Sequence, residues 1–257
     1  MSEFETLKYE TRDHVGLLTL NRPQSLNAIN ETMLGELETF WRARRHDAET
    51  RVVILSGAGD KGFCAGLDLK EAFTQMAALD LAGFYNAQSR GARLMLSMRQ
   101  APQPIIAAIH GAAAGVGLSF ALASDLRLIT PDARFAASFV NIGLGGADVG
   151  SSYFLPRLIG AGRAYEFLLT GDFMDAETAF NLGLVSRVVP RDRLLDEAME
   201  LAQKMCRKNP LGLRLTKEAI NCNLDAAGLE QALNVEDRNQ TLCLATIRYE
   251  GQNPDTR

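Results

Sequence analysis

The run from Ile105 to Ala123 restricts the possible folds of this chain more than any other segment. It reads IIAAIHGAAAGVGLSFALA, and only His110 and Ser119 carry polar side chains. A segment of this length could span a bilayer. It consists mostly of alanine and glycine, however, and neither an aromatic belt nor a cluster of basic residues flanks it. We therefore predict a buried strand, a glycine turn and a helix.

Composition limits the partners and the compartment. The 257 residues, 47% of them hydrophobic, can build one large core with or without a subdomain. A net charge of −4 argues against nucleic-acid and membrane partners, since both need a concentrated basic face. The four cysteines show no paired spacing, and the N-terminal MSEFETLKYE lacks an apolar signal region. A reduced, cytoplasmic protein is expected.

Short apolar segments alternate with amphipathic ones along the first two thirds of the chain. The strand-like segments are FETLKYE, VGLLTL, RVVILSG, PIIAAIH, DLRLIT and VSRVV. Between them, Asn30 is placed to cap a helix that runs to about Asp47, and a mostly helical stretch covers residues 68–99. Strands separated by helices predict an α/β fold with parallel pairing.

The last third of the chain predicts helices almost throughout. A short helix capped by Asp175 and closed by Gly183 precedes the final strand. After Arg193 the pattern is helical, with Asn209-Pro210 as a start signal. The tail carries apolar residues on more than one face, which is typical of packing on a neighbouring subunit or on the chain's own core. We predict a core over residues 1–195 and a helical oligomerisation region over 196–257.

Two glycine-containing segments could present free backbone N–H groups. In GFCAGLDL, residues 62–69, a turn enters a helix with Asp68 at the expected N-cap, and Gly115-Val116-Gly117 opens a second helix. Backbone N–H groups at helix starts have no intrahelical acceptor and favour negative charge. Two of them facing one point would form an oxyanion hole. Close packing of glycine turns is the alternative.

Five motifs, in this order, resemble those of the crotonase (enoyl-CoA hydratase/isomerase) superfamily. They are LNRPQSLNAIN, GFCAGLDL, HGAAAGVGLSFALASDLRL, GSSYFLPRLIG and LLTGDFMDAETAFNLGLVSRVV. The resemblance covers about residues 5–215. It implies a spiral of ββα units with a C-terminal helical trimerisation region, and hence a homotrimer or a hexamer. It also implies an acyl-CoA substrate, with coenzyme A as part of that substrate, no separate cofactor and no metal.

The resemblance also implies site residues. The thioester carbonyl would rest on the backbone N–H groups of Leu67 and Val116, where an enolate-like oxygen develops negative charge. Coenzyme A would contact mainly backbone, and the corresponding positions are Ser25, Leu26, Ala28, Ala65, Asp68 and Leu69.

The chain departs from the family pattern at two positions. Hydratases of this family carry two glutamates, and the matching positions here hold Ser119 and Phe139. Neither side chain accepts a proton at neutral pH, since serine needs an adjacent base. The sequence therefore argues against two-glutamate hydration. Ser119 either hydrogen-bonds substrate or simply leaves space, and Phe139 is expected to narrow the acyl pocket.

Asp148 is the candidate that could supply the missing carboxylate. It lies in NIGLGGADVGSS and is the only acidic residue between Asp132 and Glu166. Its D-V-G context resembles that of dienoyl-CoA isomerases and hydroxyisobutyryl-CoA hydrolases, although the loop after Gly143 is one residue longer. An acid/base role and an N-cap of a helix beginning near Val149 are both open.

Three function classes remain open. The first is an acyl-CoA enzyme that moves a proton or a double bond, with Asp148 as its acid/base. The second is a thioester hydrolase or C–C bond-cleaving enzyme that uses the same oxyanion hole. The third is an acyl-CoA-binding subunit without catalysis. Cys64 and His110 are expected to be buried structural residues.

Overall fold

Two β-sheets and their covering helices form the fold. A computed structural model describes residues 4–252 of the chain. The strands are β1 (Leu7–Arg12), β2 (Val15–Leu20), β3 (Val52–Gly57), β4 (Gly62–Cys64), β5 (Ile105–Ile109), β6 (Ala112–Ala114), β7 (Leu126–Ile129), β8 (Arg134–Ala136), β9 (Met174–Asp175) and β10 (Arg187–Val188). The helices are α1 (Glu31–Arg44), α2 (Leu69–Met76), α3 (Leu81–Gln100), α4 (Val116–Ala123), α5 (Ser151–Ile159), α6 (Ala161–Thr170), α7 (Ala176–Asn181), α8 (Leu194–Cys206), α9 (Pro210–Asn223) and α10 (Leu229–Gln252).

The strands alternate between a large and a small sheet. The large sheet has the order β1-β2-β3-β5-β7-β10, and the small one β4-β6-β8-β9. Three times, a strand of the large sheet is followed by a strand of the small sheet and then by helix: β3 and β4, β5 and β6, β7 and β8. Within each sheet these successive strands pair in parallel. The ββα spiral implied by the resemblance is confirmed.

Residue patterns alone predicted the large sheet but not the small one. Strands β3 and β5 are buried and β7 is buried after its first residue, which suits parallel strands covered on both faces. Strands β4, β6 and β8 have three residues each, too few for a readable period. The glycine turn predicted after Ile109 therefore contains β6, and the rest of the run forms α4. No helix in residues 4–252 has the length and apolarity needed to cross a membrane.

Side-chain caps fix several helix starts where the sequence placed them. Asn30, Asp175 and Asn209 each accept a hydrogen bond from the backbone N–H three residues later. The helix after Asn30 ends at Arg44, slightly earlier than predicted. The helical stretch predicted over residues 68–99 is divided into α2 and α3, because Asp80 caps a new helix through the N–H of Gly83.

Helix α8 covers one face of the large sheet. Its buried residues Leu194, Ala198 and Ala202 pack in one cluster with strand residues such as Val52 and Ile106. The predicted division between residues 195 and 196 falls inside this helix. The division into a core and an oligomerisation region stays a prediction.

A buried charge cluster attaches α9 to the core. The Lys217 ammonium lies 2.8 Å from the carboxylate of Asp125 and donates to the backbone carbonyl of Gln103. Arg99 contacts the other oxygen of Asp125 at 3.1 Å. Beyond this cluster, α10 packs along α9 and leaves large apolar side chains exposed: Leu229, Leu233, Leu242, Leu244, Ile247 and Tyr249.

Candidate active site

The backbone N–H of Leu67 is turned away from its neighbouring segment. Ile29 donates to the carbonyl of Gly66 and accepts from the N–H of Asp68, at 2.8 Å in each case, which makes a short parallel bridge. In such a bridge the middle residue, here Leu67, directs its own N–H to the opposite side. That N–H has no protein acceptor within residues 4–252.

The backbone N–H of Val116 is free for a different reason. Val116 is the first residue of α4, so its N–H has no acceptor inside the helix. Gly115 before it has a φ of 52°, a left-handed conformation that glycine adopts without strain. In the described part of the chain the Val116 N–H donates to no other group.

The segments that carry these two amides touch each other. A Cβ built on Gly66 would lie 3.4 Å from the nitrogen of Val116 and 2.9 Å from the carbonyl oxygen of Ala114. Gly66 also has a φ of 99°. Both the lack of space for a Cβ and this backbone conformation therefore require glycine at this position. The structure therefore brings together the Leu67 and Val116 amides that the resemblance assigns to an oxyanion hole.

The two stretches assigned to coenzyme A lie side by side. The N–H of Ala65 donates to the carbonyl of Leu26 at 3.0 Å, and a tight turn joins Ser25 to Ala28 through a second 3.0 Å bond. Leu26 and Leu69 are each 39% exposed and Leu67 is 37% exposed. They give the neighbouring surface an apolar character. Coenzyme A binding itself stays a prediction.

Arg22 ties these two stretches together. Its guanidinium donates to the Ala28 carbonyl at 2.6 Å and to the Asp68 carboxylate at 3.0 Å, and it contacts Glu71 at 3.3 Å. Asp68 occupies the predicted N-cap position of α2, but its carboxylate is turned to Arg22. Burial opposes the charge of Asp68 and would raise its pKa. The hydrogen bond from Arg22, the backbone N–H groups of Glu71 and Lys70, and the charge of Arg22 together outweigh burial and lower the pKa.

Ser119 and Phe139, at the positions of the two missing glutamates, are both buried. Ser119 is fully buried, and its hydroxyl donates to the Gly115 carbonyl at 3.5 Å. The ring of Phe139 is buried and lies 3.6 Å from the point that a Gly115 Cβ would occupy. Phe139 thus lies beside the Val116 amide, as a residue narrowing the acyl pocket would. A substrate contact of Ser119 stays a prediction, and its hydroxyl has another partner here.

Asp148 is not the N-cap of the following helix. The helix predicted to begin near Val149 begins at Ser151, and its N-cap is Gly150, which has no capping side chain. The glycine permits the left-handed turn that displaces the start. Asp148 instead accepts hydrogen bonds from the side chain of Gln88 at 2.6 Å and from the N–H of Val149 at 2.7 Å. The alternative prediction, that Asp148 caps this helix, is wrong. The acid/base role of Asp148 stays a prediction.

The chain matches a known protein family. The sequence model of the enoyl-CoA hydratase/isomerase family matches residues 10–252. The chain belongs to this family. It is 38% identical to the probable enoyl-CoA hydratase echA12 of Mycobacterium leprae, over 93% of this chain and 82% of that protein. It is 33% identical to the crotonyl-CoA hydratase of Syntrophomonas wolfei, over 95% and 91%.

Solved structures of this family have the same fold. The crystal structure of an enoyl-CoA hydratase from Bacillus anthracis superposes with a TM-score of 0.89 at 36% identity, over 96% of this chain and 94% of that one. The crotonase resemblance inferred from the five motifs is therefore confirmed, as is the assignment of this chain to an enzyme family.

Cys64 and His110 are both buried, and the structural role expected for each stays a prediction. Burial raises the pKa of the Cys64 thiol to about 12, which leaves it neutral and unreactive. His110 is buried after β5, and burial is the main cause that lowers its pKa. Strand β6 separates it from Gly115, so it lies at the opposite end of that strand from the Val116 amide.

Sequence reasoning missed three residues that organise the site: Arg22, Asn27 and Gln88. Asn27 is buried with a φ of 56°, and its amide donates to the carbonyls of Ala58 and Gly62. Arg22 and Asn27 lie within the first quoted motif, so their polarity in a predicted turn was a usable signal. No local pattern marks Gln88, because its partner lies 60 residues away.

Proposed function

We propose that this chain catalyses proton transfer on an acyl-CoA thioester and moves a double bond along the acyl chain. The thioester oxygen binds the N–H groups of Leu67 and Val116, and Asp148 serves as the single acid/base. The observation that carries the proposal is the pair of unpaired amides on touching segments. Pre-aimed donors of this kind are worth about 2.7–4 kcal/mol each in the transition state.

The proposed reaction conserves atoms and needs no oxidant. The Asp148 carboxylate removes a proton from C2 of a 3-enoyl thioester, and the electron pair of that bond delocalises onto the thioester oxygen. The two amides stabilise this enolate. The same carboxyl group returns the proton to C4, which leaves the double bond between C2 and C3. A carboxyl group can act as base and then as acid in this way.

Isomerisation is favoured over hydration because water would have no second carboxylate. In two-glutamate hydration one group activates water while another exchanges the proton at C2. Here those two positions hold the buried Ser119 and the buried ring of Phe139. Each lost acid/base group removes about 10²–10⁴-fold in rate. We therefore expect crotonyl-CoA hydration to be slower by orders of magnitude than in a two-glutamate enzyme.

Hydration remains the second candidate, because relatives at 33–38% identity carry hydratase names. Asp148 would then take a proton from water and deliver it to C2 while the oxygen adds at C3. The two reactions give different products. Hydration adds the mass of one water to the thioester. Isomerisation leaves the mass of the thioester unchanged but shifts the NMR signals of its vinyl protons.

The test begins with a panel of 2-enoyl, 3-enoyl, dienoyl and hydroxyacyl thioesters of coenzyme A. Products are identified by mass spectrometry and NMR, and free thiol release reports hydrolysis. A brisk hydration of crotonyl-CoA, or thiol release as the main reaction, would overturn the proposal. Binding without any turnover would favour the non-catalytic alternative. Acyl-CoA binding itself predicts a thermal shift by mass action, and its complete absence at millimolar ligand would contradict the inferred groove.

Asp148→Asn then tests the acid/base. The variant keeps the shape of the side chain but cannot take up the proton, so kcat should fall by about 10²-fold or more while KM changes little. Asp172→Asn, at an exposed loop position, is the matched control and should behave like wild type. Turnover unchanged in Asp148→Asn would remove this carboxylate from the mechanism.

A further inference from the structure

Gln88 reaches Asp148 from a different part of the fold. Gln88 lies in the middle of α3, and Asp148 lies in the loop before α5. The amide Nε2 of Gln88 donates to Oδ1 of Asp148 at 2.6 Å. Gln88 lies outside the five family motifs and has no role in the proposed mechanism.

The hydrogen bonds to Asp148 distinguish its two oxygens. Oδ1 accepts from both Gln88 and the N–H of Val149, at 2.6 and 2.7 Å. Within residues 4–252, no donor is bonded to Oδ2. A carboxylate oxygen with two donors is fully occupied, whereas one without a donor is free to take up a proton.

The backbone around Asp148 is also fixed. Its N–H donates to the Ser151 hydroxyl at 3.0 Å, and its carbonyl accepts from the Ser151 N–H at 2.9 Å. Val149 has a φ of 40°, which is rare for a β-branched residue and costs free energy unless surrounding contacts hold it. These contacts restrict the loop around Asp148, and among the described residues Gln88 is the only side chain that hydrogen-bonds the carboxylate.

We propose that Gln88 is a positioning residue, which holds Oδ1 of Asp148 so that Oδ2 exchanges the proton with substrate. This rests on the proposed function, in which Asp148 is the acid/base. A glutamine suits the task because its amide donates a hydrogen bond but does not titrate, so the contact persists while the carboxyl group gains and loses its proton. Accurate placement of a catalytic group within about 1 Å can be worth about 10²-fold in rate.

Gln88→Leu tests the proposal. It keeps the side-chain size but removes the donor, so kcat should fall by about tenfold, the factor carried by a hydrogen bond to a charged group. KM should change by less than about twofold, since substrate is not held by Gln88. Gln88→Glu should be slower still, since its carboxylate has no hydrogen to donate and places a like charge beside Asp148.

A double-mutant cycle separates positioning from a general structural effect. In the Asp148→Asn background, Gln88→Leu should reduce the rate by less than about twofold further, because the group through which it acts is already lost. Asn86→Leu, exposed on another face of α3, is the matched control and should keep the wild-type kcat and KM.

Each outcome decides between the two proposals. Equal losses from Gln88→Leu with and without Asp148 would overturn the positioning role and leave the acid/base role standing. So would a wild-type kcat in Gln88→Leu alongside an inactive Asp148→Asn. An active Asp148→Asn would overturn both, since Gln88 would then have no catalytic group to position.

Discussion

Gly117 lies against the carbonyl of Cys64, and a Cβ at this glycine would be 2.1 Å from the carbonyl oxygen. The contact joins the first turn of α4 to the end of β4. Leu67 follows Cys64 closely in the chain, and Val116 directly precedes Gly117. The distance between the two candidate oxyanion amides therefore depends on a contact in which no side chain fits.

Gly117→Ala should disturb that distance. The added methyl group meets the backbone and the Cβ of Cys64, neither of which can move aside by a side-chain rotation, so α4 must shift relative to β4. We expect the free energy of unfolding to fall by about 1–3 kcal/mol, the range for overpacked cores. Displaced amides should lower kcat/KM by about 10²-fold. Urea unfolding and turnover of the substrate found in the panel measure the two effects.

Gly91→Ala is the matched control for this prediction. Gly91 lies inside α3, and a Cβ there would meet nothing within 4 Å. Alanine at a helix interior position should raise the free energy of unfolding by about 0.5–1 kcal/mol and leave turnover unchanged. If Gly117→Ala is as stable and as active as Gly91→Ala, then α4 can move away from β4 without lowering either the free energy of unfolding or the turnover.

Arg22→Met should loosen the predicted coenzyme A groove. The substitution keeps an apolar stem but releases Ala28, Asp68 and Glu71 together. We expect KM for acyl-CoA to rise by about tenfold, the equivalent of one charged hydrogen bond, with a smaller change in kcat. Arg22→Lys should restore only part of the affinity, because an ammonium cannot reach several acceptors as a planar guanidinium does.

The same contact predicts an acid-sensitive groove. The pKa of Asp68 is lower in the folded protein than its ordinary value of about 3.9, so its contribution to stability is fully present above that value. The contribution is lost as the pH falls through the lower folded value. Isothermal titration with coenzyme A below pH 4 should show wild-type affinity approaching that of Arg22→Met. Parallel pH dependences of the two proteins would contradict the role given to Arg22.

Phe139→Leu should change acyl selectivity. The shorter side chain leaves space beside Gly115, where the ring now lies 3.6 Å from the position of a Cβ. Thioesters with a bulky or branched acyl group should gain about tenfold in kcat/KM relative to short ones, as expected for one or two methylene groups of pocket space. Phe135→Leu, a fully buried core substitution, should lower stability without altering that ratio. If Phe139→Leu leaves the kcat/KM ratio of bulky to short thioesters unchanged, the acyl chain does not lie beside residue 139.

The sequence could predict the large sheet and several helix starts because their signals are local. Continuous apolar runs mark β3 and β5, and capping side chains act within three residues of themselves. The small sheet could not be predicted in the same way. Its three-residue strands are too short to show a pattern and are stabilised as strands only by pairing with one another.

The site was predictable where it depends on backbone and not where it depends on distant side chains. Glycine-containing turns marked the two segments that carry the site, and the family resemblance assigned the amides of Leu67 and Val116 within them. The Gln88 contact to Asp148 requires α3 and the α5 loop to meet, and no local pattern encodes that meeting. The extra left-handed turn at Gly150 similarly displaced the predicted start of α5. The reaction subtype and the compartment stay predictions.

Assembly is the last prediction. Helix α10 packs along α9 but leaves large apolar side chains exposed, and side chains such as Leu244, 61% exposed, and Ile247, 55% exposed, would be costly to leave in water. We expect another subunit to cover them, giving a particle of about three or six times the 28.0 kDa chain in light scattering. Leu244→Asp should dissociate the particle, whereas Gln240→Asp places the same charge at an exposed polar position of α10 and should not. A wild-type monomer at micromolar concentration would show that α10 has no subunit partner.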